Sequence, residues 1–117
     1  MAAKTAAKNG FKTLLVDEKP NLGGSTIYQN SDYFKINNQN SGSWLEKEIN
    51  EIKKLKNLEI KTRTSVAAYH GYNFLLAREN LTDHLPIEQR KDKTRHKLLK
   101  IRAKKVISAT GSIERPM

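Results

Sequence analysis

Between Leu45 and Val66 the apolar side chains change their spacing, and that change commits the chain to an α/β organisation. Leu45, Ile49, Ile52 and Leu55 recur at helical intervals, with Lys47, Glu48, Glu51, Lys53 and Lys54 falling between them. From Leu58 the period becomes two, with Leu58, Ile60, Thr62, Thr64 and Val66 alternating with Glu59, Lys61, Arg63 and Ser65. The first pattern predicts a helix lying on a surface, and the second a single strand ending at Val66 with one drier face. Ser43-Trp44-Leu45-Glu46 reads as a capping box, in which the serine hydroxyl takes an orphan backbone N–H and the glutamate reaches back. The helix is therefore expected to start at Ser43 and run to about Lys56, with Trp44 as a core anchor.

The flanking segments extend the same organisation. Ala2 to Asn9 consists largely of helix formers, and Gly10 stands where a left-handed C-terminal cap belongs. Lys12 to Glu18 is a short apolar run bounded by charge, a buried strand, followed by turn chemistry from Lys19-Pro20 to Gly23-Gly24. Residues 25–42 read as loop with at most a short strand. A hairpin is expected around Gly71, with further strands at Leu98 to Ala103 and at Lys105 to Ala109, the latter ending in Thr110-Gly111-Ser112.

Composition narrows the possible functions. With 117 residues, 37% of them hydrophobic, the chain amounts to a single domain with a lean core. Having no cysteine, it has no disulfide, thiolate metal site or catalytic thiol. No apolar run is long enough for a membrane span and no secretory signal is encoded, so the sequence predicts a cytoplasmic chain. The formal charge of +10 is uneven: residues 1–60 contribute +2 and residues 61–117 contribute +8. Nine Lys/Arg against Asp92 alone fall between Arg90 and Lys105. Such a stripe is a solvated hairpin face, a rim facing an acidic partner, or a nucleic-acid surface. No aromatic residue interleaves its charges, which counts against nucleic acid.

Three features carry possible chemistry. Asp17 and Glu18 sit where an apolar strand runs out into a loop, the place from which a carboxylate accepts hydrogen bonds from the two vicinal hydroxyls of an adenosine ribose. Acids are also common at wet strand ends. Gly23-Gly24 followed by Ser25 lets backbone N–H groups approach a phosphate or ribose, or forms an ordinary turn. Val106 to Gly111 is a strand running into small residues, which lets a cofactor lie across the sheet edge. Among His70, His84 and His96, only His84, beside Asp83, is a candidate for an acid/base dyad, and no metal site is expected.

The segments Phe11 to Ser25, Thr82-Asp83-His84-Leu85-Pro86 and Ile101 to Pro116 together resemble the alpha subunits of heterotetrameric sarcosine oxidases, flavoproteins and relatives with two dinucleotide-binding domains. The resemblance implies a partial Rossmann-like, FAD/NAD(P)-binding three-layer fold over residues 1–117, with an antiparallel β excursion. It implies a part in the oxidative demethylation of sarcosine, with NAD held in this region, FAD as the alternative dinucleotide, and the other subunits as partners. Asp17 and Glu18 match the ribose-binding acids, Lys19 their neighbour, and Gly24 and Ser25 the glycine turn and the contact after it. Val66 matches a position whose backbone meets the adenine, and Ala109, Thr110 and Gly111 the stretch lying against the dinucleotide. No catalytic residue is implied. In these relatives a strand and a G-x-G-x-x-G turn precede the first helix, and here Met1 falls after that point. The expectation is that the first strand and the phosphate cradle are missing, so that the chain alone binds NAD or FAD poorly.

Overall fold

A short helix, α1 (Ala2–Lys8), feeds the first strand through a turn that its glycine makes possible. In this computed structural model, which describes residues 1–28 and 33–111, the Gly10 amide donates to the Ala7 carbonyl at 3.0 Å and the Phe11 amide to Ala6 at 3.2 Å. That pair of bonds is a Schellman cap, and Gly10 adopts the φ of +86° it requires. The chain then enters β1 (Thr13–Val16), which pairs in parallel with β4 (Leu58–Lys61), Thr13 opposite Leu58 and Val16 opposite Lys61.

Between these strands lie a 3₁₀ turn (Gly24–Tyr28), a small antiparallel hairpin of β2 (Lys35–Ile36) and β3 (Gln39–Asn40), and the helix α2 (Ser41–Lys53). Asn37 and Asn38, at φ of 50° and 60°, make the left-handed two-residue turn that matches strand twist. This hairpin corrects the expected helix start. It delivers Asn40 in extended conformation directly onto the helix, and the Asn40 side chain accepts from Gly42 N at 2.9 Å and Ser43 N at 3.5 Å, so Asn40 is the cap and Ser43 lies inside. Trp44 and the stripe of Leu45, Ile49, Ile52 and Leu55 are half-buried. Lys4 joins the two helices, its Nζ lying 2.8 Å from a Glu48 carboxylate oxygen and 2.7 Å from Glu51. This pairing raises the Lys4 pKa and lowers that of Glu51.

The alternating stretch from Leu58 to Val66 is two strands, not one. Arg63 turns the chain at φ 49°, and β5 (Thr64–His70) opens a separate antiparallel sheet with β6 (Phe74–Asn80) and β7 (His96–Arg102) in the order β5-β6-β7. Backbone bonds hold the break, with Arg63 N donating to Lys19 O at 3.0 Å and Thr64 N to Asp17 O at 2.9 Å. The expected hairpin at Gly71 is present, turning through Tyr72 and Asn73 at φ of 59° and 53°. A short helix, α3 (Ile87–Arg90), lies in the β6–β7 connection.

Residues 105–109 do not form the expected strand. Among the described residues this segment ladders with no strand, although β1 and β7 each keep an open edge, and Val106 and Ile107 are 38% and 69% exposed. The fold is thus mixed α/β, with one parallel and two antiparallel sheets among the described residues. Among the described residues the buried apolar side chains are Ala7, Leu58 and Ala77, as the lean composition implies. The radius of gyration, 16.4 Å, exceeds the roughly 13 Å of a tightly packed chain this long. No described helix is long and apolar enough to cross a membrane.

Candidate functional site

Asp17 lies at the carboxyl end of β1, at the junction of the two larger sheets. Its amide donates to Lys61 O of the parallel partner at 2.9 Å, and its carbonyl accepts from Thr64 N where the antiparallel sheet begins. Its Oδ1 accepts from the Lys19 amide at 2.8 Å. This Asx turn fixes the rotamer and leaves Oδ2 without a hydrogen bond among the described residues. Glu18 and Lys19 are exposed, with Lys19 Nζ 4.0 Å from Glu18 Oε1. Thr64, 1% exposed, closes the floor of this corner by donating its hydroxyl to Thr62 O at 2.9 Å. Val66, 48% exposed, stands two residues farther along β5 from Thr64, whose amide donates to Asp17.

The two glycines differ. A Cβ on Gly23 would meet Leu45 Cδ2 at 2.6 Å and Ile27 Cγ1 at 2.9 Å, which makes Gly23 the point where the loop packs onto α2. A Cβ on Gly24 meets nothing within 4 Å, and Ser25 beside it is exposed. Ala109, Thr110 and Gly111 are exposed beyond β7, and among the described residues no hydrogen bond joins them to the Asp17 corner. Ser112 and the Glu114–Pro116 part of the last motif lie outside the described residues. Two open hollows, of about 450 and 320 Å³, are lined by α2 side chains and by Lys12, Thr13 and Lys56–Glu59 respectively; neither includes Asp17.

Asp83 has a different partner from the one its motif suggested. His84 is exposed, and Asp83 Oδ2 is bonded to His96 Nε2, while its Oδ1 takes Arg95 Nε at 2.9 Å and lies 3.5 Å from Arg90 Nη1. Asn80 Oδ1 accepts the Asp83 amide at 2.9 Å, and buried Thr82 donates its hydroxyl to Thr94 O at 3.3 Å. The T-D-H-L-P stretch is therefore a clamp on the β6–β7 connection, and it occupies two cations of the basic stripe. A separation of thirteen residues hid the Asp83–His96 pair from any helical spacing rule.

The His96 bond first, and the Arg95 bond second, hold the Asp83 carboxyl below its ordinary pKa of 3.8. A depressed folded pKa contributes stability that is present above the unfolded value and lost as pH falls through the folded one. The urea midpoint of Asp83→Asn is therefore expected to lie below that of the parent at neutral pH, the gap closing only in acid below the usual carboxylate range. A gap already absent at about pH 5 would contradict the clamp.

No protein-family model matches the chain. Its sequence is similar to that of an oxidoreductase subunit along almost its whole length, in agreement with the resemblance carried by its three motifs. That subunit is the sarcosine oxidase subunit alpha: the chain is 28% identical over 116 residues to that of Corynebacterium sp. (strain U-96) and 29% identical over 116 residues to that of strain P-1. It is 29% identical over 123 residues to that of Rhizobium meliloti (strain 1021). These matches cover 99% of this chain and 12%, 12% and 11% of the relatives, so the chain corresponds to a small part of that subunit's length.

Proposed function

We infer that the chain forms the adenosine-holding part of a Rossmann-like dinucleotide-binding unit in a sarcosine-oxidase-like subunit. The observation that carries the reading is the fixed Asp17 carboxylate at the carboxyl end of a parallel strand, since ligands of open α/β sheets sit outside those ends. Asp17 Oδ2 and the exposed Glu18 carboxylate accept the two ribose hydroxyls, and the Asx turn to Lys19 keeps the first from rotating away. Ser25, beside the unobstructed Gly24, donates toward the ribose or the phosphate next to it. Val66 lines the adenine side with its backbone, and Ala109 to Gly111 cross the same dinucleotide.

NAD is the dinucleotide of this reading, with FAD the alternative, since both present the same adenosine. The whole assembly carries out the oxidative demethylation of sarcosine, and this reading gives the dinucleotide a bound place in it and no redox step. The other subunits of that assembly are the partners, and no residue of this chain has a catalytic role.

The described residues offer ribose contacts without a phosphate cradle, so affinity is expected to be low. Calorimetric titration with NAD and with FAD is expected to give dissociation constants of about 1 mM or weaker. Asp17→Ala is expected to weaken binding a further tenfold or so through loss of a charge-assisted pair. Micromolar affinity for either dinucleotide would show the phosphate cradle to be dispensable, and an Asp17→Ala chain that binds as the parent does contradicts the reading.

A further inference from the structure

The antiparallel sheet has one face turned inward and one with no partner. Register places Thr64, Leu75, Ala77, Glu79, Leu99 and Ile101 on the first face, with Val66, Tyr69 and Lys97 exposed at its margins. Glu79 Oε1 lies 3.5 Å from Lys61 Nζ of β4, and Ala77 is fully buried, so this face looks toward the parallel sheet. The opposite face carries His70, Phe74, Leu76, Arg78, Leu98, Lys100 and Arg102. Its geometry is confirmed by Arg102, whose guanidinium carbon sits 5.3 Å over the Phe74 ring, and by His70, whose ring centre is 6.0 Å from that of Phe74.

This outer face has no carboxylate at any ladder position; Asp83, bonded to His96 at one end of the face, is taken up by that ring and by Arg95, and Arg78, Lys100 and Arg102 have no ion pair among the described residues. Leu98 stands among these cations at 61% exposure. An apolar centre ringed by cations is the anatomy of a protein interface. The Phe74 ring, already covered by Arg102, offers little stacking area to a base, which counts against nucleic acid. A second copy would bring +10 against +10. β7 is also an edge strand, with backbone groups turned outward and lysines that repel another basic strand.

We propose that this face is the docking surface for an acidic polypeptide segment, seated over Leu98 with its carboxylates on Arg78, Lys100 and Arg102. The site shares no residue with the Asp17 corner and stands whether or not that corner holds adenosine.

The test is fluorescence anisotropy of the full chain with a labelled twelve-residue peptide of alternating glutamate and valine, with folding of each variant checked by circular dichroism. Leu98→Ser, which leaves the charge unchanged, is expected to weaken binding about tenfold, as loss of a central anchor does. Arg78→Glu with Lys100→Glu is expected to abolish it. The same charge change in Lys12→Glu with Lys56→Glu, on the parallel sheet side, is expected to alter it less than about twofold. Equal loss from both charge pairs, or no effect of Leu98→Ser, overturns the proposal. So does a twenty-nucleotide thymidine strand that binds more tightly than the peptide at physiological salt, or a dimer in sedimentation that Leu98→Ser dissolves.

Discussion

Asn57→Asp is expected to destabilise the fold by about 3 kcal/mol, enough to unfold a marginal chain. Asn57 Nδ2 donates to the Ala7 carbonyl at 2.7 Å and to the Phe11 carbonyl at 3.0 Å. One side chain at the start of β4 thus fastens the end of α1 to the residues that lead into β1, and with them the register that places Asp17 beside Lys61. Aspartate has the same shape but no donor, and it brings a carboxylate against two carbonyl oxygens. Asn57→Ala removes the bonds without adding that repulsion and is expected to cost about 2 kcal/mol. Urea denaturation of the three chains should rank Asn above Ala above Asp. If Ala equals Asn, the two carbonyls do not depend on the amide, and the junction is held by β-pairing alone.

Gly23→Ala is expected to cost about 3 kcal/mol, combining backbone strain with overpacking. Gly23 has φ +133°, which an L side chain rarely adopts, and its new methyl would lie 2.6 Å from Leu45 Cδ2. Gly24→Ala provides the comparison, because φ is +54° and the added methyl meets open space. Its expected cost is about 1 kcal/mol. Thermal melts of the two variants separate a packing glycine from an unobstructed one. Equal melting points would mean that the loop does not rest on α2 as the structure has it.

Local chemistry was legible in the sequence, and long-range pairing was not. Gly10 as a helix stop, the apolar stripe of α2, the hairpin at Gly71 and the acid closing β1 each depend on residues within one or two turns of one another. The break at Arg63 depends on Lys19 and Asp17, whose backbone groups take the Arg63 and Thr64 amides, and period-two alternation runs through it unchanged. The Ser43 capping box lost to Asn40 because a two-residue asparagine turn set the helix entry two residues earlier. Val106 to Ala109 has strand composition, but strands are made by neighbours, and among the described residues it has none. Of the candidate site, the sequence foretold the position of Asp17, Glu18 and Lys19. It could not foretell that Thr64 opens a second sheet beside Asp17, or that Asp83 turns from His84 to His96.

The central claim is that Asp17, Glu18, Ser25, Val66 and the Ala109–Gly111 segment face one adenosine. The most direct measurement is an amide-resolved NMR titration of the intact chain with ADP-ribose. The account predicts shifts that saturate together at Asp17 to Lys19, Ser25, Val66 and Ala109 to Gly111, and that vanish in Asp17→Ala. Shifts confined to other residues, or shifts at Ala109 to Gly111 that persist in Asp17→Ala, would contradict it.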